Sequence, residues 1–483
     1  MCLAAIEHRF PGRVRSRLNV RRSLLFIVQA LGASLLASAA SVAPASAAVT
    51  TSYYRPSGAA ELVDVASGYR ALFTCSAHFV AHRELADILR VELVDTRAFK
   101  LPAPVIDEQR RLVTAQGADG QVAIAAHRQS MGCTLLPPDW GIDAVIDLPH
   151  VELEPVPDMS GIGFPEGDRV SLRTTPSQDA LLLRAFDGTS FGSGTVTGAV
   201  VVVRDGEMVA EGYGNGFEAH SGYRTWSTAK SISATLIAIA VRDGLMKLGS
   251  PAPVVQWQSP ADPRRQITLV NLLHMSSGLD SGSNNSNAIY FGGAAVGSAV
   301  TRTELEAPPG TRWQYANNDT LLLLRALRHV LKSHHRYLRY PYDELFHRIG
   351  MYHTRMEIDH AGDFVGSSQV YSTARDLARF GLLYLNDGIW NGERILPKGW
   401  THFVAQSAPK RAAVRGQPGY GAHFWLLDQL PGIPKGTYTT SGSKGQYVTV
   451  LPERNIVVVR TGVDPEGKRW DQPAFVKEVL EHF

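Results

Sequence analysis

A serine becomes a nucleophile when a neighbouring base can take its proton, and Ser227 has such a neighbour in Lys230, three residues on. The run 231–241 contains neither Pro nor Gly and is apolar nearly all round, so it predicts a buried helix closed by Arg242-Asp243-Gly244. On such a helix positions three apart share a face, which sets Ser227 and Lys230 side by side at its N-terminal end. The unpaired N–H groups there favour developing negative charge, and the combination suits a serine that transfers acyl groups.

The spacing alone is weak, because the chain carries it three times. Ser407-Ala408-Pro409-Lys410 has a Pro inside the turn and no apolar helix behind it. Ser441-Gly442-Ser443-Lys444 sits in a strand-like run, where residues three apart face opposite ways. Gly188-Thr189-Ser190-Phe191-Gly192 fits the Gly-x-Ser-x-Gly elbow, yet a helical pattern precedes it and a strand follows, the reverse of what an elbow needs.

Two further elements would complete an acyl-transfer site. In Tyr315-Ala316-Asn317, a phenol can relay protons to a leaving group and an amide can position the Lys ammonium and a carbonyl. In Thr440-Ser441-Gly442, a glycine on a strand lets a substrate carbonyl approach, so that backbone N–H groups at Ser443 and Ser227 form an oxyanion hole.

These residues need a scaffold. The pattern predicts a helix over 178–186, a hairpin of strands 198–203 and 207–213 around Asp205-Gly206, and a mostly helical middle. Within that middle, Asn318-Asp319 cap a helix over 320–331 and Ser372 caps one over 373–385. Met275-Ser276-Ser277-Gly278 reads as a helix end with a Gly cap, and Asp376 with Arg375 as helix-end charges. Strands at 436–441, 446–451 and 456–461 and a last helix after Pro473 complete one antiparallel sheet built from both ends of the domain. Ahead of it lies a small α+β module with a strand-like run at 69–80, helical spacing at 84–93, and strands 111–114 and 121–126. The expected division is 1–47 signal peptide, 48–136 accessory module, 137–177 Pro-rich linker and 178–483 hydrolase domain.

Net charge +3 with 19% charged residues gives no electrostatic case for a nucleic-acid partner. His334-His335 lie among Lys332, Arg336 and Arg339 with no carboxylate or Cys at ligand spacing, so neither metal nor cofactor is expected. The N-terminus reads as an export signal: Arg13, Arg15, Arg17, Arg21 and Arg22 precede an apolar run over 24–40 that ends in small residues and Ala45-Ser46-Ala47. An uncleaved membrane anchor is the competing reading; Arg21-Arg22 fits a twin-arginine route loosely, and Val20 is an alternative start. Export would leave Cys75 and Cys133 in an oxidising compartment, where a bridge closing about 58 residues stabilises by about 4 kcal/mol; two buried thiols are the alternative.

Taken together, Trp226-Ser227-x-x-Lys230-Ser231, Leu272-Leu273-His274-Met275-Ser276-Ser277-Gly278-Leu279, Pro308-Pro309-Gly310-Thr311-x-x-x-Tyr315-x-Asn317, Ser372-Thr373-Ala374-Arg375-Asp376-Leu377-Ala378-Arg379 and Gly442-x-x-Gly445-Gln446 resemble the class C beta-lactamase-related serine hydrolases. Within these the chain is most similar to the branch of 6-aminohexanoate-dimer hydrolase and related esterases, over about 180–483. The resemblance implies the penicillin-recognising α/β (α+β) fold, an antiparallel sheet flanked by helices plus a helical subdomain. It also implies Ser227 as nucleophile, Lys230 and Tyr315 as the base pair, and Asn317 as a positioning residue. One departure is that the beta-lactamases and D,D-peptidases open the third motif with Lys or His, where this chain has Thr440. A neutral Thr loses a charge-assisted contact to a substrate carboxylate, although Lys444 would share its face in an unbroken strand.

The expected activity is exported serine hydrolysis of a small-molecule ester or amide through an acyl-enzyme. Beta-lactamase or D,D-peptidase activity is the alternative within the class, and a non-catalytic cell-wall-binding or sensory protein the alternative outside it. The sequence assigns neither the substrate nor the oligomeric state.

Overall fold

The computed structural model describes residues 59–94, 101–118, 120–138, 140–280, 285–412 and 414–483, and these described residues belong to one compact unit. The export signal expected over 1–47 lies outside the described residues, among which no helix is long and apolar enough to cross a membrane.

The chain begins with α1 (Ala59–Phe79), α2 (Leu85–Val91) and the strands β1 (Val105–Asp107), β2 (Leu112–Gln116), β3 (Val122–Arg128) and β4 (Gly132–Leu135). It continues through α3 (Pro176–Phe186), β5 (Thr197–Arg204), β6 (Glu207–Tyr213), β7 (Tyr223–Arg224) and α4 (Thr228–Arg242). The helical middle comprises α5 (Leu269–Leu273), α6 (Asn285–Phe291), α7 (Val296–Thr301), α8 (Asn317–Leu331) and α9 (His334–Pro341). After it come β8 (Arg355–Met356), β9 (Val370–Ser372), α10 (Ala374–Leu385), β10 (Ile389–Trp390), β11 (Glu393–Arg394) and α11 (Trp400–Ala405). The C-terminal part holds β12 (Gly419–Tyr420), β13 (Trp425–Leu426), β14 (Tyr438–Gly442), β15 (Gln446–Leu451), β16 (Ile456–Gly462) and α12 (Gln472–His482).

The large sheet has the order β12-β13-β14-β15-β16-β5-β6 and is antiparallel throughout, so the first and last strands of the domain pair at its middle, as the pattern predicts. The β-branched run of β5 is buried on both faces, which is why it reads as continuous Val and not as an alternation. Ala199, Val201, Val203, Val457 and Val459 face the main core with α4 and α10; Val200, Val202 and Val458 face α3 and α12. At Gly381 of α10 an added Cβ would stand 2.4 Å from Val457 Cγ1, so this glycine lets the helix lie directly on the strand. A separate three-stranded sheet, β7-β9-β8, leads into the start of α4.

The run at 69–80, expected as a strand, is instead the end of α1, a helix lying on the β1-β2-β3-β4 sheet. From Arg70 to Ala77 every residue is buried, because β2, β3, β4 and α6 all pack against this helix, and a helix buried all round loses its 3.6-residue signature. Three capping assignments also move. The N-cap of α8 is Ala316, while Asp319 is fully buried and accepts from the Ser277 hydroxyl at 2.7 Å. Thr373, not Ser372, caps α10, accepting from Asp376 N at 3.1 Å. Left-handed Met275 follows α5, whereas Gly278 (φ +78°) sits further on, where a Cβ would meet the Ala307 carbonyl at 2.0 Å.

Cys75 of α1 and Cys133 of β4 lie with Cα atoms 6.1 Å apart, inside the range a disulfide spans. Beside them the buried Glu357 carboxylate accepts from Ser76 Oγ (2.7 Å) and Cys133 N (2.9 Å).

Candidate active site

The site begins at the end of β7. Trp226 has φ +49°, a conformation that costs a bulky residue energy and persists only where its surroundings hold it. The holding group is a stack: the Arg224 guanidinium lies 4.5 Å over the Trp226 ring and 4.1 Å over Phe73 of α1, and the two rings are 5.4 Å apart. The next residue, Ser227, is the N-cap of α4, and the first turn closes through Thr228 N to Thr225 O, Ala229 N to Trp226 O and Lys230 N to Ser227 O, at 2.9–3.1 Å.

Helix geometry then delivers Lys230 to Ser227. Its Nζ lies 3.0 Å from Ser227 Oγ and 2.8 Å from the Ser367 carbonyl oxygen, and the side chain is buried. Burial alone holds the Lys230 ammonium well below the ordinary lysine range. An amine favoured in its neutral form, in contact with a serine hydroxyl, has the properties of a general base.

Tyr315 sits over this pair, with its ring centroid 5.1 Å from Lys230 Nζ. Tyr420 (5.9 Å) and Trp425 (5.7 Å) pack against it, so β12 and β13 orient the phenol. Asn317 opens α8, two residues on. Ser227 and Lys230 thus lie at the start of α4, Tyr315 and Asn317 at the start of α8, and the two helices are in contact.

The third motif reaches the same place in a different way from that expected. An added Cβ at Gly442 would lie 2.2 Å from the Thr225 carbonyl oxygen, so the glycine admits the nucleophile turn itself against β14. Ser443 follows just beyond the strand. Thr440 is buried and faces α4: its hydroxyl is 3.0 Å from Thr228 Oγ1 and accepts from Val448 N at 3.1 Å. Lys444 lies in a turn with φ +60°, between β14 and β15, so the strand parity that would set it beside Thr440 is broken.

The other Ser-x-x-Lys at Ser407 is in a loop, and Ser190 of the Gly-x-Ser-x-Gly match hydrogen-bonds to Asp187 on the surface. Sequence reasoning missed three supports. His423 lies beneath the site, fully buried, with Nδ1 donating to Leu273 O (2.8 Å) and Nε2 accepting from Thr320 Oγ1 (2.8 Å). Burial pushes it down to about 3, so the ring is neutral and ties α5 to α8. Tyr290 of α6 hydrogen-bonds to Ser367 Oγ at 2.5 Å, bracing the residue that receives Lys230. The third is the Phe73–Arg224–Trp226 stack. None of these has a local signature, since each depends on residues distant in the chain.

Comparison with known proteins identifies the family and the fold. The Beta-lactamase family profile matches residues 183–469. The 6-aminohexanoate-dimer hydrolase of Paenarthrobacter ureafaciens is 23% identical over 317 residues, 60% of this chain and 79% of that protein. Among solved structures, a candidate 6-aminohexanoate-dimer hydrolase from Bacillus anthracis superposes with TM-score 0.53 at 21% identity, covering 65% of this chain and 86% of that one. A candidate beta-lactamase from Bacteroides dorei superposes with TM-score 0.51 at 20% identity, covering 63% and 97%.

Proposed function

The chain belongs to the beta-lactamase family of serine hydrolases, and from that premise we propose that it cleaves an ester or a linear amide of a small molecule through an acyl-enzyme on Ser227. The observation that carries the reading is the buried Lys230 amine 3.0 Å from Ser227 Oγ. Neutral Lys230 takes the serine proton as Oγ attacks the carbonyl, with Tyr315 as its partner. N–H groups of Ser227 and Ser443 hold the oxyanion, and Asn317 positions the substrate. Tyr315 passes a proton to the leaving group; a water, activated by the same pair, then releases the acid.

Preference for esters and linear amides over penicillins is supported by Thr440, which puts no cation where a beta-lactam carboxylate would be held and has its hydroxyl engaged by Thr228 and Val448. The curated relative's name points to the same class, linear amides. A purely binding role is disfavoured by the cost of burying a lysine that no binding task requires. We further propose that the protein is exported and that Cys75 and Cys133 are bonded when it functions, given the arginine-led apolar run at the N-terminus and their 6.1 Å Cα separation.

The test is intact mass after a fluorophosphonate probe, followed by rates on p-nitrophenyl acetate, a linear amide and nitrocefin. One adduct that maps to Ser227 and is absent in Ser227→Ala supports the assignment. A folded wild-type protein without adduct, or with the adduct elsewhere, removes it; nitrocefin as the best substrate would overturn the ester and amide preference alone.

A further inference from the structure

Away from the nucleophile, three residues remote in sequence meet at one point. Asp168 lies in the segment that crosses α10, His220 in the connection between β6 and β7, and His353 just ahead of β8. Their potential ligand atoms all lie within 4.8 Å of one another, and His353 Nε2 is 4.0 Å from Asp168 Oδ2. The two imidazole rings are 4.6 Å apart. We infer that Asp168, His220 and His353 form a binding site for a divalent transition-metal ion, Zn2+ being the best fit.

The chemistry favours this class of ligand. Two imidazoles and one carboxylate make a donor set suited to zinc, which takes three protein ligands with a fourth position left to water. Tetrahedral zinc with bonds of about 2.0–2.1 Å sets its ligand atoms about 3.4 Å apart, so the 4.0 Å pair closes by about 0.6 Å. The exposed His220 side chain is free to swing inward.

Two of the ligands are already held in place. Asp168 Oδ1 accepts from Arg379 at 2.8 Å and its carbonyl from Arg375 at 2.8 Å, which leaves Oδ2 directed toward His353. His353 is fixed through its backbone N–H, which donates to Asp376 Oδ2 at 2.9 Å. The outer partners that orient metal ligands are therefore present on the carboxylate side. Room for a water ligand exists too: His220 and His353 line a cavity of about 120 Å³, together with His82, His127 and Arg355, many times what one water occupies. Bound metal would clamp the segment around Asp168 to the connection that feeds β7, and so to the approach to Trp226 and Ser227.

Untagged, chelator-treated full-length protein would be titrated with ZnCl2 by calorimetry, with metal content measured after dialysis. The expected result is one equivalent bound with Kd near or below about 10 μM, weakened at least tenfold in His220→Ala, an exposed position whose replacement leaves the fold intact. The other group of possible ligands among the described residues is Glu478, Glu481 and His482, so His482→Ala should bind as the wild type does. Absence of saturable binding up to about 100 μM zinc overturns the inference, as does binding that survives in His220→Ala or is lost in His482→Ala.

Discussion

Ser227-x-x-Lys230 and Ser441-x-x-Lys444 are the same pattern in one chain, and their backbones touch where Gly442 meets Thr225. In the first, one helical turn stacks the two side chains and burial strips the lysine of water, giving a 3.0 Å pair. In the second, the serine closes a strand while the lysine occupies a left-handed turn, only partly buried. Spacing alone therefore specifies nothing; secondary structure makes the pair, and burial makes the base. The second copy serves the first as a wall, with its glycine fitted to the nucleophile turn.

The sharpest way to break this comparison is Lys230→Met, which keeps the stem and removes the amine. Turnover of a short-chain ester should fall by about 10³-fold or more, while fluorophosphonate labelling slows in parallel. Stability should move the other way. A lysine whose folded value is lowered binds fewer protons folded than unfolded, so wild-type stability rises with pH from that lowered value up to the ordinary lysine range. The Lys230→Met protein should therefore melt above the wild type in acid, by a margin that shrinks as pH rises; a constant margin would mean the amine is not desolvated. The wild-type rate should likewise climb with pH through the lowered value and level off above it, in a kcat/KM profile.

Gly442→Ala comes next. Its methyl would overlap the Thr225 carbonyl, so β14 and the nucleophile turn must part, at about 2–4 kcal/mol of stability. Displacing Ser227 by a fraction of an ångström should lower kcat about 10²-fold, measured on protein shown to be folded by circular dichroism. An unchanged rate would show that the wall does not position the serine. The smallest effect is expected of Lys444→Ala: less than about threefold on neutral esters, because the left-handed turn breaks the strand parity that would set this residue beside Thr440. A tenfold loss confined to substrates bearing a carboxylate would instead make Lys444 the missing cation, and the two copies would then share the chemistry.

Legibility in the sequence followed how local each cause was. The pairing of Ser227 with Lys230 needs one turn of helix and a flanking apolar run, both written in adjacent residues. Most of the large sheet was legible, β5, β15 and β16 as runs rich in Val bounded by turn residues, whereas β12 and β13, two residues each, carry too short a pattern to read. α1 was not, since a helix covered on several sides has no polar stripe to mark it. The purpose of Gly442 was misread for a related reason: sequence marks that a backbone comes close, not whether substrate or protein does so. The Phe73–Arg224–Trp226 stack joins segments about 150 residues apart and the Asp168, His220 and His353 group spans about 185, so no window of sequence contains either.

The position of β16 also bears on how the protein is made. Its valines pair with those of β5, about 250 residues earlier, so the middle of the sheet cannot close until nearly the whole chain exists. At about 5–20 residues per second, β5 waits roughly 10–50 s after synthesis for its partner. Throughout that interval a two-sided apolar strand has no neighbour on that edge, and the nascent chain depends on whatever keeps such a strand from pairing with another copy.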